Sequence, residues 1–446
     1  MSKMQNSGSG SKSISGFSKL SKRGKIKWIV ENFFRDPETV MHELTSYWHK
    51  NEDQQKLLDG FSENTITNFP MPFSVAPNLM INGKIYVAPM VIEESSVVAA
   101  ASAGAKFWMD RGGIRAKILG TEKLGQIHFL WNGEEEFLRS NLHQIKVKML
   151  LDAKEIISNM DKRGGGVRDF KLITNQTIPH YYQILVSFET CDSMGANFIN
   201  SCLESFAQSL ELFCSSNDVS LQSGYEVEIL MSILSNYTPE CLVRVELSCP
   251  ISELGEFPEG MSAREFAERF YQAIQIAKFD THRAVTHNKG IFNGIDAVVL
   301  ATANDFRAVE ACGHAYAARD GQYRSLSDCS LEGDQFLFFM EIPLALGTVG
   351  GLTALHPIAK RSLELLGNPT AQELMMIAAS VGLVQNFSAI RSLVTTGIQQ
   401  GHMKMHLTNI LNQFQATEQQ KSKAEEHFKT HKVSVQSVRQ FLNSTQ

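Results

Sequence analysis

Gln126-Ile127-His128-Phe129-Leu130-Trp131 reads as a strand, and what surrounds it decides the architecture. A long polar helical stretch at 133–160 follows and ends at Gly164-Gly165-Gly166. Two further strand-like runs come next, 168–174 and 181–190, then a helix over 194–213 and a last strand over 225–234. The order is β-α-β-β-α-β, the split βαβ arrangement of ferredoxin-like domains.

On either side of this segment the pattern is helical. Upstream, Ile26, Trp28, Ile29, Phe33 and Phe34 recur three to four apart until Pro37 interrupts them. Pro70, Pro72 and Pro77 then punctuate the chain, and Asn82-Gly83 between apolar runs signals a hairpin turn. The Ala-rich run 97–107 suits a tightly packed buried helix. Downstream, 264–279, 371–384 and 386–396 read as long helices, 335–342 as a strand, and 418–442 as a separate charged helical piece. The expectation is an α+β protein. A large, mainly helical domain in two parts (17–120 and 237–396) carries residues 121–236 as an insertion, with a disordered tail over 1–16 and a small helical piece over 397–446.

Composition excludes several function classes. The chain has 446 residues, 43% apolar and 20% charged, with a formal net charge of −5. Lysine and arginine are dispersed, so nucleic acid has no basic footprint to bind. The apolar stretch 87–109 is broken by Glu93, Glu94 and Lys106, short of the ~20 residues a membrane span needs. No membrane anchor and no signal peptide are expected. Seven cysteines without a C-x-x-C pair read as reduced thiols of a cytoplasmic protein.

The standard nucleotide and nucleophile loops are missing: there is no G-x-G-x-x-G opening a βαβ unit, no P-loop and no G-x-S-x-G elbow. The alternative phosphate seat is Asp192-Ser193-Met194-Gly195-Ala196-Asn197, at a strand-to-helix junction of the inserted domain. Glycine there admits a ligand to the backbone, and free amides at a helix start attract a pyrophosphate. The same residues also read as an ordinary Asp/Ser helix cap. Glu94, between apolar segments and beside Glu93, is either a carboxyl kept protonated by desolvation or a surface pair at a helix start. Residues 287–296 read as a polar, Gly-containing loop in which Lys289 either stabilises an oxyanion or is a surface lysine. Asp305 either pairs with Lys289 or caps the following helix. His402 and His406 have zinc-compatible spacing, but with neither a following Glu nor a third ligand no metal is expected, and His402 stands as a general acid or a packing residue.

Together, residues 93–102, 192–197, 287–296, 304–311 and 397–403 resemble, in order, the motifs of class II hydroxymethylglutaryl-CoA (HMG-CoA) reductases, over roughly 17–410. That resemblance implies a two-hydride reduction of the HMG-CoA thioester to mevalonate and free CoA, or the reverse. It makes Glu94 the proton donor to the carbonyl oxygen, Lys289 its polarising cation, Asp305 their shared partner and His402 the flap histidine that protonates the CoA thiolate. Ser96, Arg283 and Asn293 match substrate-contacting positions and Gln385 one near the CoA, while 192–197 matches the turn that binds the nicotinamide cofactor. The resemblance also implies a homodimer, or an oligomer of dimers, whose active site is built from two subunits. In this chain Ser95 stands where the family usually has Pro, and Thr67 where it has Gly. Counting back from Gly164 places Ile157 at the position where NADH-preferring members carry an acidic residue, with Lys162 and Arg163 nearby, which favours NADPH over NADH. Two rivals are a Cys312-dependent CoA acyltransferase and a catalytically silent acyl-CoA-binding homologue.

Overall fold

The computed structural model describes residues 12–174, 177–215, 225–397, 407–408, 410–428, 431 and 433–444. The chain divides into two compact units, 1–72 and 73–446, a boundary the sequence reading does not contain. Of the expected tail, residues 1–11 lie outside the described residues.

In the first unit lie helices α1 (Lys22–Phe33), α2 (Pro37–Ser46) and α3 (Glu52–Asp59). Each begins where a short polar side chain, Ser21, Asp36 or Asn51, accepts a hydrogen bond from first-turn amides. Pro37 opens α2, where its missing N–H is no loss. Asn64 takes the left-handed turn at φ 57°, and Thr67 donates its hydroxyl to Leu44 O at 2.6 Å.

The second unit opens with a hairpin, β1 (Phe73–Ile81) and β2 (Lys84–Val91), turned by Asn82 (φ 49°) and Gly83 (φ 81°). Two positive φ values in succession are what a tight two-residue hairpin turn requires. The Ala-rich α4 (Ser95–Met109) and β3 (Arg115–Ile118) follow. The chain then leaves for β4 (Lys123–Trp131), α5 (Glu135–Asp152), α6 (Lys154–Asp161), β5 (Gly166–Thr174), β6 (Tyr181–Glu189), α7 (Ala196–Cys214) and β7 (Val227–Leu234). These four strands form their own antiparallel sheet in the order β5-β6-β4-β7. In order of appearance this is 2-3-1-4, which places each helix between two strands that are not sheet neighbours. Alternate residues of β4 (Ile127, Phe129, Trp131) are buried with Ile184, Val186 and Phe188 of β6 against Leu203, Phe206 and Leu210 of α7. The long polar helix expected over 133–160 is two helices broken at Ala153.

The chain returns beside its point of departure. In β8 (Leu242–Pro250), Val243 pairs with Ile118 of β3, and Leu242 exchanges backbone hydrogen bonds with Gly120. Entry and exit of the insertion are thus one antiparallel ladder. After α8 (Ala263–Phe279), α9 (Thr281–Ala301) and α10 (Phe306–Ala317), strands β9 (Ser327–Glu332) and β10 (Gln335–Pro343) complete a second sheet, β3-β8-β10-β9. Then come α11 (Gly351–Leu355), α12 (Pro357–Leu365) and α13 (Ala371–Val394). The two helices expected at 371–384 and 386–396 are one. Among the described residues α13 alone is long and apolar enough to cross a membrane, but 78% of its most apolar window is buried in the core of this unit.

Glycines set how closely the helices around α13 approach. A Cβ on Gly104 of α4 would lie 2.5 Å from Val384 O, and one on Gly294 of α9 would lie 2.8 Å from Val381 O. Backbone therefore meets backbone on both sides of α13, which fixes α4 and α9 relative to each other. The C-terminal piece holds α14 (Glu418–His427) and α15 (Val435–Ser444) around a small core of its own, including Leu411, Phe428 and Val438.

Candidate active site

The junction at 192–197 lies at the mouth of a cleft. Helix α7 is not capped by Asp192 or Ser193, as one reading of the sequence had it. Its N-cap is Gly195, at φ 88° and without a side-chain cap. Among the described residues no acceptor meets the amides of Gly195, Ala196 or Asn197. An uncapped helix start with free amides is an anion site by geometry and by dipole. These amides open into a cleft of about 850 Å³ lined by Ser193, Met194, Gly195, Ala196 and Asn197 on one side and by Asp305, Arg307, Gly347 and Gly350 on the other.

Asp192 does a different job from the one expected. It does not line the cleft. Its Oδ1 accepts from Ala371 N at 2.7 Å, and its carbonyl accepts from Thr348 N at 2.8 Å. It therefore clamps the turn to the start of α13 and to the segment 347–351. That segment escaped the sequence reading, although Gly347-Thr348-Val349-Gly350-Gly351 is a visible glycine signal. A Cβ on Gly347 would sit 2.4 Å from Met194 N, so only glycine allows the two walls to touch.

A second cluster forms where α4 starts. Glu94 is the N-cap of α4 but makes no side-chain cap bond, which leaves its carboxylate available. Ser96 donates its hydroxyl to Glu94 Oε1, and Lys289 Nζ stands 4.0 Å from Glu94 Oε2. The two oxygens are addressed separately by a neutral donor and a cation. Lys289 is on a helix: the whole stretch 287–296 belongs to α9, against the expected loop. The helix holds there because its polar residues find buried partners. His287 Nε2 meets Ser327 Oγ at 2.6 Å, Asn288 donates to Arg324 O, and burial pushes the His287 imidazole down to about 3. Arg283 is half-buried, and its guanidinium has no acidic partner among the described residues, so burial lowers its pKa. Asn293 on the same helix is half-buried without a hydrogen-bond partner among the described residues.

Asp305 is not brought to Lys289 within this chain. It caps α10, accepting from Arg307 N and Ala308 N, and pairs with the Arg307 guanidinium at 3.2 Å. Leu300, at the cleft end of α9, is eleven residues from Lys289, which is about 16 Å along a helix axis. Gln385 is 5% exposed inside α13, and its Oε1 has no hydrogen-bond partner among the described residues. Ile157 is buried beneath the sheet and presents no carboxylate or other polar group there. His402 and His406 lie outside the described residues. Among the described residues no three His, Cys, Asp or Glu side chains converge as a metal site.

A dinucleotide-sized cleft over an uncapped helix, together with a Lys–Glu pair suited to polarising and protonating a carbonyl, defines an oxidoreductase that reduces carbonyl-level carbon. Over residues 26–407 the chain matches the hydroxymethylglutaryl-coenzyme A reductase family and belongs to it. It is 35% identical over 399 residues to the 3-hydroxy-3-methylglutaryl-coenzyme A reductase of Archaeoglobus fulgidus, covering 89% of this chain and 86% of the relative. A probable reductase of the same name from Borreliella burgdorferi is 32% identical, with 90% of this chain and 88% of the relative covered. The class II enzyme of Streptococcus pneumoniae, solved bound to NADPH in open conformations, superposes with a TM-score of 0.70 at 35% identity, covering 86% of this chain and 100% of that one.

Proposed function

We propose that the protein reduces HMG-CoA to mevalonate and free CoA with NADPH, as a homodimer in which the cofactor cleft of one copy faces the Glu94–Lys289 pair of the other. The observation that carries the dimer is the separation of the two clusters. Hydride must reach the carbon whose oxygen Lys289 polarises, and within one chain α9 holds Lys289 and the cleft about 16 Å apart. A second copy supplies the missing half and brings Asp305 toward Lys289 and Glu94.

The residues present fit a pyrophosphate dinucleotide. The free amides at Gly195–Asn197 suit the phosphates, and Gly195 and Gly347 let the turn pack against Thr190 and against segment 347–351 where a Cβ would clash and displace those amides. Lys162 and Arg163 flank the turn, with Arg163 O accepting from Cys191 Sγ at 3.3 Å. Exposed cations there favour a 2′-phosphate. When bound, NADPH supplies the two hydrides. Lys289 stabilises the oxyanion that each reduction develops, and Glu94, oriented by Ser96, gives that oxygen its proton. Arg283 and Asn293, half-buried and with no side-chain partner among the described residues, are suited to hold the substrate's carboxylate and hydroxyl. His402 is assigned the proton for the departing thiolate by resemblance alone.

The acyltransferase rival finds no support. Cys312 is buried, its pKa is raised by that burial, and Thr238 N donates to its sulfur, while His314 is engaged by Tyr323. Seven free cysteines, six of them buried, suit a reducing cytoplasmic compartment. The test follows nicotinamide absorbance with saturating HMG-CoA and either cofactor. Oxidation of NADPH in preference to NADH is expected; a folded protein that oxidises neither overturns the reading, and full activity from a monomer overturns the dimer.

A further inference from the structure

The free amides of the cofactor turn need something to hold them in place, and the turn has no side-chain cap. Behind it lies Lys123, the first residue of β4, only 4% exposed and with no carboxylate within salt-bridge distance among the described residues. Its ammonium donates to Thr190 Oγ1 and, at 3.0 Å, to the carbonyl of Ser193. Thr190, 1% exposed, donates its own hydroxyl to the same carbonyl at 2.7 Å and accepts at its carbonyl from Ser193 N and Ser193 Oγ. A Cβ on Gly195 would lie 2.4 Å from Thr190 Cγ2, so the threonine methyl also forms the floor under the N-cap.

We infer that Lys123 is a positioning residue for cofactor binding, acting through Thr190 and the Ser193 carbonyl to aim the amides that follow at the cleft. The inference rests on the reading of the 192–197 turn as the cofactor seat. Its logic is that of peptide planarity. Two donors pin the Ser193 carbonyl inward, which fixes the plane of the Ser193–Met194 peptide and sets where the chain enters the left-handed Gly195 and the first turn of α7. Burying an ammonium is costly, and its pKa is accordingly lowered, chiefly by desolvation. A cation is retained in such a position where its hydrogen bonds specify a geometry that an apolar residue would leave loose. A small cavity of about 20 Å³ adjoins Lys123, Met194, Ala196, Thr238 and Cys312, so the turn has room to sag if the anchor is removed.

The test compares the full-length protein with Lys123→Met, which keeps the length of the side chain without its donors, and with Thr190→Val, which removes the relay but keeps the methyl floor. NADPH binding is measured directly by cofactor fluorescence, and HMG-CoA affinity by calorimetry. The NADPH dissociation constant is expected to rise about tenfold, equivalent to about 1.4 kcal/mol, with HMG-CoA affinity unchanged within twofold. A rise of fivefold or more in either folded variant supports the role. A smaller rise in both, or a parallel loss of HMG-CoA affinity, overturns it. Should Lys123→Met fail to fold, Thr190→Val carries the same comparison. Failure of the wild-type protein to bind NADPH would instead refute the reading of the turn itself.

Discussion

Replacing Gly347 with alanine tests the claim that segment 347–351 and the cofactor turn form one tight unit. The added methyl would sit 2.4 Å from Met194 N and 3.0 Å from Ser193 C, both backbone atoms that cannot swing aside as a side chain would. An ordinary contact needs roughly 1 Å more, and forcing a methyl into a packed interior costs about 1–3 kcal/mol. Two responses are open. If the turn yields, the amides of Gly195, Ala196 and Asn197 move off their aim and the strain appears as a 5- to 150-fold weaker NADPH affinity, about 1.4 kcal/mol per factor of ten. If the turn holds, the strain appears as lost stability. Fluorescence titration with NADPH and urea unfolding monitored by circular dichroism therefore have to be read together. An alanine variant with dissociation constant within twofold of wild type and an unchanged unfolding midpoint would refute the packing argument.

Glu94→Gln and Lys289→Met should each lower turnover about a hundredfold or more and leave NADPH affinity within twofold, because the affinity rests on the phosphate-facing amides of the turn and the pair acts on the substrate's carbonyl; steady-state kinetics beside binding titrations check this. Asp296 on α9 is pushed up to about 8 by burial and by Glu310 beside it. With its folded pKa above the unfolded value, its contribution to stability is full below about pH 4 and is lost as pH rises through about 8, by up to about 1.4 kcal/mol per unit. Asp296→Asn should flatten the decline in urea stability between pH 5 and 8, and an unchanged slope would remove the assignment.

Part of the molecule is written locally. Alternation and turn residues specify the strands of the 126–234 segment, and Asn82-Gly83 specifies the β1–β2 turn because few other residues accept two positive φ values. The Ala-rich α4 follows from helix propensity and small volume. Glu94, Ser96, Lys289 and 192–197 carry their chemistry in their side chains or in a glycine, so they can be singled out from the sequence as a motif. Periodicity failed where tertiary partners override it. Residues 287–296 look like a loop until Ser327, Arg324 and Asn386 satisfy their buried polar groups and let α9 run through them.

What tertiary structure alone decided is which of these groups meet. Asp192 and Asp305 are both acidic residues at helix starts, and no local signal separates a clamp on α13 from a partner of Arg307. Lys123 is one lysine among many until folding buries it behind Ser193, and Gly347 is one glycine among 31 until it touches Met194 N. Backbone propensity acts over a few residues, whereas the positions of Lys289 and the cleft are set by helices packed backbone to backbone on α13. The sequence alone therefore determined the elements and the chemical groups; the distance that separates the two halves of the site along α9 was decided by the packing of those elements.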